Sequence, residues 1–333
     1  MHGVAMQPPW TPDSLAARMP FLRRRGLLTA ATRGFFEARG YTEVETPYAV
    51  AVPGEEVHLG ALRTEAADAH GNRRSLWLHT SPEFAMKKLL AGGAGAIFQL
   101  ARVWRNNEGS LRHSIEFTML EWYRPGLPFE GLMDETEALL RAVLPPVVHS
   151  GGVETALDRF ERVTVAEAFA QYGAGDVLGT AGDAHALAAS AGARLREGEE
   201  WEDLFFRLLL ERVEPHLGQE RPTFLTHWPV AQAALARRDP VDHRVALRFE
   251  LFVCGMELAN AFEELTDPEE QRARFMVDRV RRHAMYGPDW PLDEELLAAL
   301  RVMPPSSGIA LGFDRLAMLA AGADRIDQVL WLP

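Results

Sequence analysis

Between residues 27 and 39 the apolar positions Leu27, Leu28, Ala31, Phe35 and Phe36 recur at three- and four-residue intervals, the spacing of one helical face. Gly40 stops this predicted helix, and "YTEVETPYAV" reads as a short extended segment reaching Pro47. Residues 53–75 are polar, with "DAHGNRR" as a hairpin tip ahead of a strand at "SLWLHT". Ser81, Pro82 and Glu83 form a helix start: a hydroxyl cap, a proline in the first turn and an acid near the positive end. Two strands follow, "AIFQLARVWR" and "EFTMLEWY", joined by a polar loop over residues 106–114, the simplest pattern being an antiparallel pair.

An amphipathic helix is predicted over 130–144, and residues 155–215 are rich in alanine, leucine and charge, a helical insertion within a larger domain. Strand character returns in "RPTFLTHWP" and in "HRVALRFELFVCGMELANAFEEL". A helix then covers 268–285, and a glycine-marked strand or turn leads into a last helix from Asp314. Antiparallel strands with interspersed helices predict an α+β fold rather than a doubly wound parallel sheet. Residues 1–20, rich in proline and small side chains, are expected to be a flexible N-terminus.

Composition narrows the classes of function. With 47% hydrophobic residues in 333, the chain can bury a large core. A single cysteine, Cys254, excludes an intrachain disulfide and a cysteine-built zinc site. Neither a signal peptide nor a long apolar run is present, so a soluble cytoplasmic protein is expected. Lys and Arg total 35 against 47 Asp and Glu, a formal charge of -12, which disfavours bulk nucleic-acid binding. A phosphorylated small molecule, by contrast, needs only a few arginines.

Three stretches concentrate chemistry. In "RVWRNNEGSLRHSIEFTMLEWYR", alternation places Phe117, Met119, Glu121 and Tyr123 on one strand face and Glu116, Thr118, Leu120 and Trp122 on the other. Arg102, Arg105 and Arg112 have the geometry to clamp phosphate oxygens, and the aromatics to stack on a base; an ion-pair network across a hairpin is the plainer alternative. In "RFELFVCGMELANAFEEL", a tight turn at Val253 and Cys254 would set Glu250 opposite Glu257, two carboxylates that repel unless a cation or proton lies between them. Convergence of Glu257, Asn260 and Glu264 requires a bulge. Such oxygen ligands suit Mg²⁺ shared with substrate phosphates, whereas solvent-facing acids on an edge hairpin need no metal. In "GIALGFDR", two glycines permit close backbone approach to an anion beside Arg315, or simply a tight packing turn. No hydrolase elbow, zinc-protease helix or paired-cysteine motif is present.

Taken in order, these stretches resemble motif 2, the acidic strand and motif 3 of class II aminoacyl-tRNA synthetases, while "GYTEVETP" resembles motif 1. The run "LHTSPEFAMKKLLAGGAGAIFQLARVWRN" is similar to the lysyl subgroup, and within it to the free-standing ligase branch that modifies a translation factor. The likeness spans about residue 25 to the end, and it implies a catalytic domain over 21–333 without an anticodon-binding domain. It implies ATP and Mg²⁺ as cofactors, (R)-β-lysine or lysine as substrate, a lysine of elongation factor P as acceptor, no tRNA, no membrane, and a homodimer through motif 1.

By position the likeness assigns the catalytic roles to Arg105 and Arg315, on the α- and γ-phosphates, and places Phe117 under the adenine. Asn106, Asn107, Glu108, His113, Ser114, Glu257, Leu258 and Gly312 join the ATP set, and Glu250 with Glu257 the metal. Ser81, Pro82, Glu83, Tyr123, Asn260, Glu264 and Ala310 make up the amino-acid pocket, with Ala310 where lysyl enzymes usually have glycine. Motif 2 departs from the family: Asn107 stands at the usual glutamate position with Glu108 one residue later, and Ser114 and Ile115 replace an Asn-Pro pair. Two other readings fit these residues, a truncated enzyme activating L-lysine for another acceptor and a catalytically silent binding paralogue.

Overall fold

The computed structural model describes residues 8–233, 235–287 and 290–333. Helix α1 (Pro12–Glu37) opens the described chain, with a proline in its first turn. It therefore starts well before Leu27 and takes in residues 12–20 of the segment expected to be flexible; residues 1–7 of that segment lie outside the described residues. The early turns escape an apolar-periodicity reading because their buried face carries arginines: Arg18, Leu22, Arg25, Leu28, Thr32, Phe35 and Phe36 form one stripe. Arg18 donates to the carbonyl of Leu330 at 2.6 Å, so the guanidinium is satisfied where it is buried.

Strand β1 (Thr42–Glu43) follows, then a small sheet of β2 (Ala49–Val50), β3 (Leu62–Ala67) and β4 (Arg73–Leu78), whose hairpin tip is tied by Asp68 to the backbone of His70 and Asn72. Helix α2 (Glu83–Ala91) leads into β5 (Ile97–Trp104) and β6 (Glu116–Pro125), the predicted antiparallel pair. Next come α3 (Phe129–Val143), the hairpin β7 (Val147–Ser150) and β8 (Val153–Ala156), and β9 (Glu161–Thr164).

Helices α4 (Val165–Gln171), α5 (Ala184–Ser190) and α6 (Trp201–Leu208) form the helical stretch. It starts later than residue 155, because Glu161–Thr164 pairs with β10 (Thr223–Pro229) as a sheet edge. Thr164 and Glu167 make a reciprocal capping box that marks the change from strand to helix. Strands β11 (Val245–Val253) and β12 (Met256–Glu263), helices α7 (Pro268–Tyr286) and α8 (Glu294–Leu300), strand β13 (Ser306–Gly312) and helix α9 (Phe313–Ala321) complete the chain.

Eight strands make the main sheet in the order β1-β5-β6-β13-β12-β11-β10-β9. Its interior is antiparallel; only the edge pairs β1·β5 and β9·β10 run parallel. One face is packed against α1, α3 and α9 through Trp122, Leu120, Ile309, Leu311 and Phe249, the main hydrophobic core. The other face carries the polar chemistry. Among the described residues no helix is long and apolar enough to cross a membrane.

The β11–β12 turn corrects the sequence reading by one residue. It falls at Cys254 and Gly255, both left-handed with φ of 53° and 62°. Glycine adopts that region freely, whereas a turn at Val253 and Cys254 would force a β-branched side chain into it. Glu250 consequently faces Asn260, and Glu257 faces Phe252. The register shifts between Leu251 and Phe252, leaving Leu258 as the extra residue of the required bulge.

Candidate active site

Sheet alternation builds the floor of the site. Glu250, Asn260, Ala310, Glu121 and Gln99 lie in register across five strands, and Arg248, Phe262, Gly308, Tyr123 and Ile97 form the next row on the same face. At its centre β13 contributes only Gly308, Ala310 and Gly312 to this face, so a trough runs along it. The trough is part of a cleft of about 470 Å³, walled by the 105–115 loop, residues 56–59, α6, α7 and the turn after β10. From Phe117 to Tyr123 the floor extends six residues along β6, roughly 20 Å at strand rise, enough for a nucleotide and an amino acid end to end.

At the Phe117 end lie the arginines. Arg105 sits over the Phe117 ring at 5.3 Å and 3.8 Å from Glu108. Arg315, in the first turn of α9, donates through Nη1 to the carbonyl of Glu257 at 2.5 Å and through Nη2 to Nε2 of His113. That bond requires the His113 proton to be on Nδ1, where it meets Ser110 Oγ at 2.8 Å. Burial, then the Arg315 charge, pushes His113 down to about 4, so the imidazole is neutral and aims Arg315 without adding repulsion. The loop itself is pinned: Leu111 accepts from the Ile326 N–H at 2.8 Å, and the Arg112 guanidinium lies where a side chain on Gly151 would be.

Glu250 is buried and accepts from Arg248 at 2.6 Å. Burial and the nearby Glu257 charge push its carboxyl up to about 8. The Glu257 side chain makes no ion pair or hydrogen bond among the described residues. These two carboxylates fit a divalent cation, since a second positive charge would relieve the repulsion that raises Glu250. No group of three or more side-chain ligands occurs among the described residues, so such an ion would also need phosphate oxygens.

At the Tyr123 end the acids are deeper. Ser81 Oγ donates to Glu121 at 2.7 Å and accepts from the Glu83 N–H at 3.0 Å, while the N-cap of α2 is Pro82, one residue after the hydroxyl predicted for it. Tyr123 donates to the other Glu121 oxygen at 2.6 Å. Burial pushes Glu121 up to about 8. Lys87 Nζ is 2.6 Å from both Glu83 and Glu264.

Of the residues expected from sequence, Arg105, Glu108, His113, Ser114, Phe117, Ser81, Glu83, Glu250, Glu257, Leu258, Asn260, Ala310, Gly312 and Arg315 all line this one cleft. Tyr123 and Glu264 are buried behind its wall, and Pro82 caps α2. Asn106 and Asn107 do not line it: Asn106 bonds to Gly60, and Asn107 takes a left-handed backbone that carries Glu108 to the wall instead. Arg102, from the predicted phosphate clamp, is 3.8 Å from Glu116 and outside the cleft. Sequence reasoning missed Arg248, Lys87 and Gln232. Arg248 had a signal, lying two residues before Glu250 on the same strand face; Gln232, from the turn after β10, had none.

This sheet, with arginines from a strand-loop-strand and from a terminal helix converging on its open face, defines an adenylate-forming synthetase core. The family model for tRNA synthetases class II (D, K and N) matches residues 17–333, and the chain belongs to that family, with the ATP use it entails. Two curated relatives match almost end to end. The elongation factor P--(R)-beta-lysine ligase of Klebsiella pneumoniae subsp. pneumoniae (strain MGH 78578) is 42% identical over 327 residues, 96% of each chain. That of Klebsiella pneumoniae (strain 342) is 42% identical over 328 residues, again 96% of each.

Proposed function

We propose that this chain activates (R)-β-lysine with ATP and transfers it from the aminoacyl adenylate to a lysine side chain of elongation factor P. The observation that carries the reading is one cleft with phosphate-binding arginines at one end and a buried acid set at the other, on a scaffold matched end to end by relatives of that name. A triphosphate needs the first and a substrate ammonium the second.

Arg105 holds the α-phosphate oxygens and the substrate carboxylate in line, with Phe117 beneath the adenine. The carboxylate oxygen attacks the α-phosphorus; the bond to the bridging oxygen breaks and pyrophosphate leaves, its charge met by Arg315, which His113 orients. Glu250 and Glu257 would hold Mg²⁺, which when bound would supply neutralising charge to the triphosphate. In the second step the neutral acceptor amine attacks the adenylate carbonyl, the C–O bond to phosphate breaks, and AMP departs. No protein nucleophile enters; positioning and electrostatics supply the rate. The Ala310 methyl stands on the floor between Asn260 and Glu121, where it narrows the space for an α-substituent. The reading also carries a cytoplasmic location, a homodimer through the motif 1 segment, and a protein acceptor in place of tRNA.

Amino-acid-dependent ATP–pyrophosphate exchange tests it, comparing (R)-β-lysine with L-lysine. Strong exchange with the β-amino acid is expected, and Arg105→Ala should lower it by on the order of 10²–10³-fold. Preference for L-lysine moves the substrate; exchange retained by the variant removes the assignment of Arg105.

A further inference from the structure

The acid end of the cleft already contains a cation of the protein's own. Lys87 lies one turn after Glu83 on α2 and is 1% exposed, and its ammonium bridges Glu83 and Glu264 at 2.6 Å each. Behind the bridge, Oε1 of Glu264 has no hydrogen-bond partner among the described residues. Gly308 lets that oxygen and the Tyr123 ring pack directly against the β13 backbone, where a Cβ would clash with both.

Resting on the amino-acid activation proposed above, we infer that Lys87 is a positioning residue that sets the pocket's charge. It holds Glu83 and Glu264 as two carboxylates and leaves one net negative charge for one substrate ammonium. Three buried carboxyls this close cannot all ionise without a cation among them. Burial disfavours charge on Glu121, which serves through its bonds to Tyr123 and Ser81 as a hydrogen-bonding group. That leaves two carboxylates against one ammonium. Without Lys87 the pair would take up a proton whenever the pocket is empty, and substrate would have to displace it. A fixed lysine occupies that role and removes the competition. Of the neighbouring acids, Glu263 is paired with Arg237, and Glu56 faces Glu83 from the rim of the cleft, adding to the need for a cation there.

The test is a charge-balance cycle in pyrophosphate exchange with the full chain: wild type, Lys87→Met, Glu264→Gln, and the two combined. Each single change should raise the amino-acid KM about tenfold or more while leaving the ATP KM within about twofold. The double variant, again with one net negative charge, should recover amino-acid KM relative to Lys87→Met. A double no better than Lys87→Met, or equal damage to both KM values, overturns the inference and makes Lys87 a packing residue. Should Lys87→Met fail to fold, the double is expected to fold, and a double equally unfolded overturns it as well. Wild-type protein without exchange for any amino acid removes the functional reading instead, and this inference with it.

Discussion

At Gly308 a single missing carbon lets Tyr123 and Glu264 pack directly against β13. A Cβ built there would lie 2.1 Å from the Tyr123 ring and 2.6 Å from Glu264, both fully buried and both held from the far side. Neither can give way, because Tyr123 is bonded to Glu121 and Glu264 to Lys87. Gly308→Ala should therefore cost about 1–3 kcal/mol of stability and raise the amino-acid KM more than the ATP KM. Chemical denaturation and exchange kinetics on the same preparation check both parts. This constraint had no signature in the chain: Gly308 read only as one of two glycines approaching an anion. Lys87 was equally hidden, since it is followed by Lys88, which turns outward to Asp293 at 2.8 Å. Only the third dimension separates the two lysines.

Among the elements, α1 and α9 are joined by a buried strut. Arg25 reaches Asp314 at 2.5 Å, Asp314 accepts from the backbone of Thr118 on β6, and Arg25 also donates to the Thr118 hydroxyl. Asp314 immediately precedes Arg315, so the strut fixes the start of the helix that presents the phosphate arginine. Arg25→Ala leaves the Asp314 carboxylate buried without its cation, a change expected to cost about 3–5 kcal/mol and to lower kcat by displacing Arg315. A urea midpoint that moves by less than measurement error would show the strut to be dispensable. Period-2 alternation places Thr118 on the strand face opposite Phe117 and Tyr123, and the structure agrees. Most strands and helices were legible for the same reason, a regular apolar period. What was lost was local: a two-residue turn displaced by one, and a helix start masked by buried arginines whose partners lie at the far end of the chain.

For the molecule as a whole, carboxyls buried in and around the cleft tie stability to pH. Burial pushes Glu121 and Glu250 up to about 8, Glu214 to about 7 and Asp278 to about 6. In the unfolded chain these groups titrate near 4.5, or 3.8 for aspartate. Between those limits the folded protein binds more protons than the unfolded one. Each group therefore contributes stability that is fully present below its unfolded value and is lost as pH rises through its folded value. Arginine-paired carboxylates such as Glu199 and Asp242, held down to about 2, act in the opposite sense and matter only below the usual carboxylate range. The ligand-free protein should thus be most stable in the ordinary carboxylate range, at about pH 4–5, and lose several degrees of melting temperature by pH 8.5. Ligands that bring positive charge to the acids reverse the penalty, so Mg²⁺ with ATP should stabilise more at pH 8.5 than at pH 6. Glu250→Gln should flatten the ligand-free profile between pH 7 and 8.5. Melting curves across that range, with and without Mg²⁺ and ATP, decide it: a ligand-free midpoint that climbs with pH would mean that the cleft acids are already ionised when empty.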